Sequence, residues 1–212
     1  MVIGDKIALT GTGGAARDIL CHLADTWKSK GIDYRGRVVF SEPDDIWQPR
    51  MLMNCEVIPQ SQIDVREYHV ILAIGAPQIR AKVLAQFPPE TRFGTIIHPS
   101  AVVSEWVEIG EGSVISAGSV ITCNIKMGVH TQINYKSSLA HDFQAGDFFS
   151  TGPGANINGN CTVGHRVYIG SNAALRQGVV LTDDVTVGMG AVVLNSISEP
   201  GTYAGTPAVR IN

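Results

Sequence analysis

The sequence predicts two units in one chain: a small α/β domain on a parallel sheet over residues 1–96, and a parallel β-helix over residues 97–212. Three observations predict it. Residues 1–96 carry 22 charged side chains, whereas residues 97–198 carry 11. Glycine runs the other way, with 8 in residues 1–96 and 15 after them. An aliphatic residue also recurs every six positions from Ile97 onward. The change of architecture falls at the stretch Ile96-Ile97-His98-Pro99.

The first unit reads as alternating strand and helix. Ile7-Ala8-Leu9 is a short apolar run bounded by glycine-rich sequence, as expected of a buried strand. A helix follows through Leu20 and Leu23 to about Lys28, with Gly31 as its stop. Val38-Val39-Phe40 is a second strand, closed by Ser41-Glu42-Pro43. Val70 to Ile74 is a third, and a helix from Pro77 to Phe87 follows Gly75. Strands alternating with helices predict a parallel sheet. Ligands of such sheets bind beyond the carboxyl ends of the strands. Those ends are Thr10–Arg17, Ser41–Asp45 and Gly75–Gln78.

The loop Gly11-Thr12-Gly13-Gly14-Ala15-Ala16 sits between a strand and a helix and fits G-x-G-x-x-[GA]. Two features argue against a dinucleotide. The segment is about half of a full dinucleotide fold, and Glu42 lies further on than the usual acidic partner. The free N–H groups at a helix start still suit the diphosphate of a sugar nucleotide.

The second unit is a repeat with a period of six. Of the 17 positions taken every sixth residue from Ile97 to Val193, 15 are Ile, Leu, Val or Met. Glycine follows seven of them directly, and small or β-branched residues dominate four positions on. Neither an α-helix nor a flat strand places aliphatics at this spacing. A parallel β-helix does, because each coil stacks its inward side chains on the coil below. Three hexapeptides per triangular coil give five to six coils.

Composition narrows the function class. A net charge of −3 and a pI near 6.0 provide no basic footprint for nucleic acid. No apolar run approaches a membrane span. The start MVIGDKIALTGTGG carries no basic leader or long apolar stretch, which predicts a cytoplasmic chain. Cys21, Cys55, Cys123 and Cys161 are widely spaced, so neither a disulfide framework nor a metal site is expected.

Ala145 and Thr151 are the two breaks in the aliphatic frame, and they follow Leu139-Ala140-His141-Asp142. Phe143 and Phe149 there replace the usual small residue. An irregularity beside a His-Asp pair marks a candidate site. Free imidazole titrates near about 6.5, which suits a general base at neutral pH.

The segments NYKSSLAHDFQAGDF, GPGANINGN and YAGTPAVRI, with GTGGAARDI and AIGAPQIR in the first unit, resemble the sugar O-acyltransferase family related to sialic-acid O-acetyltransferases. Its nearest branch N-acetylates nucleotide-linked 4-amino-4,6-dideoxy sugars. The resemblance implies a left-handed β-helix, acetyl-CoA as cosubstrate, no metal, and a homotrimer with sites between adjacent β-helices. It implies His141 as general base, with Asp142 orienting its ring, and the Gly159 N–H as the oxyanion donor. Gly11, Thr12, Gly13, Gly14, Arg17, Ser41, Glu42, Gly75 and Asn134 are the implied contacts to the nucleotide sugar. Ser150, Gly159, Gly188, Gly205 and Pro207 are the implied contacts to acetyl-CoA. Ala15 stands where relatives carry histidine, and Ser150 where a close relative has a second one. The expected substrate is GDP-linked perosamine rather than a UDP-linked bacillosamine precursor. Sugar O-acetylation is the alternative within enzymes, and a non-catalytic β-helix scaffold with a nucleotide-sensing domain is the alternative outside them.

Overall fold

The computed structural model describes residues 5–212, so the first four residues of the expected 1–96 unit lie outside it. Strand β1 (Ile7–Thr10) is buried along its whole length. It is the hub of a five-stranded sheet. β2 (Val38–Glu42) and β5 (His69–Ile71) flank β1 in parallel, and β4 (Cys55–Pro59) pairs in parallel with β2. β3 (Arg50–Leu52) closes the edge as an antiparallel partner of β4. Helix α1 (Gly14–Lys28) buries Ala16, Ile19, Leu20, Leu23 and Trp27 against this sheet. Their spacing of three and four is the apolar stripe of a surface helix.

Three details differ from the sequence expectation. The β3–β4 hairpin was not foreseen, because β3 is short and mostly exposed and shows no apolar alternation. Its turn uses Met53 and Asn54 at φ 49° and 63°, the positive-φ pair of a tight hairpin, without the usual glycine. β5 stops at Ile71 instead of reaching Ile74, since the Ala73 N–H donates to the Thr10 hydroxyl rather than to a neighbouring strand. Helix α2 (Pro77–Leu84) ends three residues early.

From Ile96 the chain winds as a parallel β-helix with strands of two or three residues. Each residue pairs with the one 18 positions on, as in Val102, Val120, Ser138, Asn156, Ala174 and Val192. Three sheets result. One begins at Ile96–Ile97 and continues through Val114–Ile115, Gln132–Ile133, Ser150–Thr151, Tyr168–Ile169 and Val185–Val187, ending in the hairpin Gly201–Ala204/Val209–Arg210. The second carries Val120–Ile121 and Ser138–Leu139, and the third Gln144–Ala145 and Thr162–Val163.

The six-residue period has a backbone cause. The residue three after each aliphatic position, from Gly112 to Gly190, has positive φ and turns the corner. Glycine does this at no steric cost, and Asn or Asp at little. Glycines one residue after the aliphatic face another constraint. A Cβ at Gly110 or Gly146 would come within 2.4 or 2.8 Å of the backbone of the next coil.

The frame breaks at Ala145 and Thr151 are a packing device. Phe143 and Phe149 are fully buried inside the β-helix, with ring centroids 5.3 Å apart. Each lies two residues before a break, on the same inward side of its strand. The large ring takes the volume that the small residue gives up. The irregularity that marked the site in the sequence is thus explained by the core, and the case for His141 rests on geometry of its own.

The α/β unit docks on the first sheet of the β-helix. Ile96 and Val114 belong to the same apolar cluster as Ile7, Leu9 and Ile71. The Gln132 amide donates to the Leu72 carbonyl at 2.9 Å.

Candidate active site

His141 and Asp142 form the corner between the second and third sheets. Asp142 is the positive-φ residue of that corner, at φ 60°. This bend turns its carboxylate back onto the preceding side chain, so that His141 Nδ1 and Asp142 Oδ2 lie 2.7 Å apart. The Asn124 amide, one coil earlier, donates to the other oxygen at 3.2 Å. The imidazole and then this amide hold the Asp142 carboxyl below its ordinary range. An ionised carboxylate on Nδ1 selects the tautomer that leaves Nε2 as acceptor. Both side chains are about half exposed, at 51% and 45%, so Nε2 is open to a substrate.

Gly159 lies one coil beyond His141. A Cβ there would sit 2.5 Å from Cε1 and 2.6 Å from Nε2 of the ring. The glycine is what lets the imidazole lie against the next coil. Its carbonyl accepts from the Gly178 N–H at 3.0 Å, and its own N–H donates to no atom among the described residues. An unspent N–H beside a base is what an oxyanion requires. We expect Gly159→Ala to displace the ring and lower turnover at least tenfold with little change in melting temperature. Steady-state rates and thermal unfolding of the variant check this.

A second feature lies elsewhere. A cavity of about 390 Å³ opens between the α/β unit and the first sheet. Its walls include Ala15, Asp18 and His22 of α1, the loop Gly75–Gln78, and Asn134, Tyr135 and Ser150 of the β-helix. The starts of both helices face it, and neither has a side-chain cap among the described residues; α2 opens on Pro77, which has no N–H, so the unspent donors here are those of Ala15 and Gln78. Among the described residues Asp18 is its single carboxylate, and no lysine or arginine lines it. Burial, and next the neighbouring His98, pushes His22 down to about 4, so its ring is neutral at pH 7. Burial, and next the Asp18 carboxylate, pushes Tyr135 up to about 12.

The structure sorts the expected site residues into groups. Gly75 and Asn134 line the cavity. Gly13 caps α1, with Gly14 as its first residue, and Arg17 is exposed with Nε 3.4 Å from the Gly13 carbonyl. Gly11 turns the loop at φ 93°. Thr12 and Glu42 form a separate cluster with a residue the sequence reading missed, Arg50 of β3. The Thr12 hydroxyl donates to Glu42 Oε1 at 2.6 Å, and the Arg50 guanidinium binds both Glu42 oxygens, one at 2.7 Å. Arg50 and then Thr12 hold the Glu42 carboxyl below its ordinary range. Ser41 is buried beside them, and its hydroxyl finds no partner among the described residues.

Ser150 sits with the cavity and away from His141. It is buried, and its hydroxyl accepts from Arg80 at 2.6 Å. Gly159 is with His141, while Gly188 packs under Ala204 of the terminal hairpin. Gly205, at φ 96°, and Pro207, after a cis peptide bond, form the turn of that hairpin. The sequence reading also missed Asn124 and Arg80. Asn124 was within reach, since it precedes Asp142 by one coil of 18 residues.

One chain does not bring the cavity and His141 together. The cavity lies on the first sheet, and His141 on the corner between the other two. In a triangular prism that corner is the edge opposite the first sheet.

Family models match two stretches, the bacterial transferase hexapeptide (six repeats) at residues 89–123 and the hexapeptide repeat of succinyl-transferase at residues 160–195. Over 85 residues the chain is 41% identical to GDP-perosamine N-acetyltransferase of Escherichia coli O157:H7, a match spanning 40% of this chain and 38% of that protein. The likeness in structure runs the full length. The acetyltransferase domain of PglB from Neisseria gonorrhoeae, solved with acetyl coenzyme A, superposes with a TM-score of 0.88 at 26% identity, over 98% of this chain and 99% of that one. A histidine-to-asparagine variant of perosamine N-acetyltransferase from Caulobacter crescentus, solved with CoA and GDP-perosamine, superposes with a TM-score of 0.85 at 26% identity, over 100% and 98%. The chain thus carries hexapeptide repeats in two stretches and shares its architecture from end to end with these acetyltransferases.

Proposed function

We propose that the chain is an acetyl-CoA-dependent N-acetyltransferase acting on the 4-amino group of a nucleotide-linked 4-amino-4,6-dideoxy sugar, with GDP-perosamine as the expected substrate. The observation that carries this reading is the His141–Asp142 pair with the Gly159 backbone against its ring. Relatives solved with acetyl-CoA or with GDP-perosamine support the two substrate classes.

The residues present fit the coenzyme, because Gly159 leaves open the space beside Nε2 that a Cβ would fill. Acetyl-CoA supplies an acyl thioester there. As the substrate amine attacks, its nitrogen gains positive charge and must lose a proton. His141 Nε2 takes it, Asp142 stabilises the imidazolium that results, and the Gly159 N–H faces the charge that develops on oxygen; as the C–N bond replaces the thioester C–S bond, the departing sulfur takes the proton from His141 and CoA leaves as the thiol. The unspent N–H groups of Ala15 in α1 and Gln78 in α2 hold the diphosphate in place of lysine or arginine.

The cavity and His141 lie on opposite sides of one chain, so the working site takes its nucleotide-sugar pocket from one copy and its base from another. A homotrimer of packed β-helices meets this need, and its members work together in the cytoplasm where nucleotide sugars are made. The test is an assay of CoA release over GDP- and UDP-linked 4-amino sugars, with product mass showing one added acetyl group on nitrogen. Two inactive chains, one His141→Asn and one Asn134→Ala, are expected to regain activity when refolded together. Acetyl transfer to a hydroxyl would favour O-acetylation, and no regain would place the whole site in one copy.

A further inference from the structure

Arg80 is the largest fully buried side chain among the described residues, and no carboxylate among them balances it. Burying a guanidinium is costly unless its donors are all satisfied. Here they are satisfied by oxygen atoms from both units. Nη1 donates to the carbonyls of Ile74 at 2.7 Å and Gly75 at 3.3 Å. Nε donates to the His130 carbonyl at 3.1 Å. Nη2 donates to the Phe148 carbonyl at 2.9 Å and the Ser150 hydroxyl at 2.6 Å. Burial alone pushes Arg80 down to about 9, still charged at pH 7.

These contacts have a direction. Two acceptors belong to the loop that enters α2, which forms one rim of the cavity. The other three belong to the β-helix, at the corners His130 and Phe148 of successive coils and at Ser150, which lines the opposite wall of the cavity. With the Ile74 and Gly75 carbonyls held by Arg80, the loop places Pro77 and Gln78 at the cavity, and Gln78 supplies the first N–H of α2. Gln78, two residues earlier on α2, makes a second tie, from its amide to the Arg166 carbonyl at 3.2 Å. A rigid planar fork with five N–H donors spans such a set of acceptors, and a lysine does not.

We propose that Arg80 is a positioning residue for the acceptor, locking the Gly75–Gln78 rim to the β-helix wall so that the cavity keeps its ligand-binding shape. The functional half of this rests on the reading of the cavity as the nucleotide-sugar pocket. Arg80 neither lines the cavity nor bonds to His141, so its effect must be selective.

The test uses Arg80→Lys and Arg80→Met in the full chain. The expected result is a KM for the nucleotide sugar raised at least tenfold, with the KM for acetyl-CoA within twofold of wild type. The lysine variant should keep more of the acceptor affinity than methionine. Hydrogen exchange at the amides of residues 74–78 should speed up in both variants, while the corner at 139–142 stays protected. Equal loss of both KM values, or unchanged exchange at 74–78, would overturn the proposal. Should methionine prevent folding, the lysine variant alone decides it. If wild type binds no GDP- or UDP-linked amino sugar by calorimetry, the pocket reading and the functional half fail together, and exchange at 74–78 still decides the mechanical half.

Discussion

Replacing His141 with asparagine is expected to lower turnover by about 10²–10⁴-fold, the usual contribution of a general base. Asparagine keeps a polar group of similar reach at the corner but cannot accept a proton at neutral pH. The fold should not suffer, because the side chain is half exposed and makes its bond to the neighbouring Asp142. Acetyl-CoA affinity and melting temperature should therefore match wild type while the rate collapses. Near-normal turnover would remove His141 from the reaction. Asp142→Asn should act in the same direction but less strongly, since the ring would lose its orienting charge and keep its Nε2.

Truncating Phe143 to alanine is expected to cost about 3–5 kcal/mol of stability, the range for emptying a buried aromatic site. In a domain of this size that lowers Tm by roughly 10 °C. The ring is fully buried and packs on Phe149, and it fills space that Ala145 leaves. The volume argument makes a sharper demand. Adding Ala145→Leu to Phe143→Ala should restore part of the loss, because the two side chains point inward side by side along one strand. In the wild-type background Ala145→Leu alone should destabilise through overpacking. Denaturant unfolding of the three variants checks this. Additivity of the two single effects in the double variant would show that the phenylalanines and the small residues are unrelated.

Much of the β-helix was readable from the period alone. An aliphatic at every sixth position fits a parallel β-helix, because each coil fixes the inward positions of the next. The strand–helix alternation of the first unit was readable for the same local reasons. The β3–β4 hairpin was not, because an exposed edge strand needs no apolar pattern and Met53-Asn54 is not a usual hairpin turn. The His-Asp pair was legible as neighbours in the chain, although the signal that drew attention to it, the broken frame, belongs to core packing.

Local pattern thus determined the repeat, the two kinds of architecture and the adjacency of His141 and Asp142, since all three depend on residues within one coil or one strand–helix unit. Only the tertiary structure decided what meets across coils and across units. It set Gly159 against the imidazole from 18 residues away, Arg50 on Glu42, and Arg80 between a loop and a β-helix wall 70 residues downstream. It also placed the cavity and the base on opposite sides of one prism. A period specifies the distance along a coil, whereas the face on which a second unit docks depends on which apolar surfaces are left to bury.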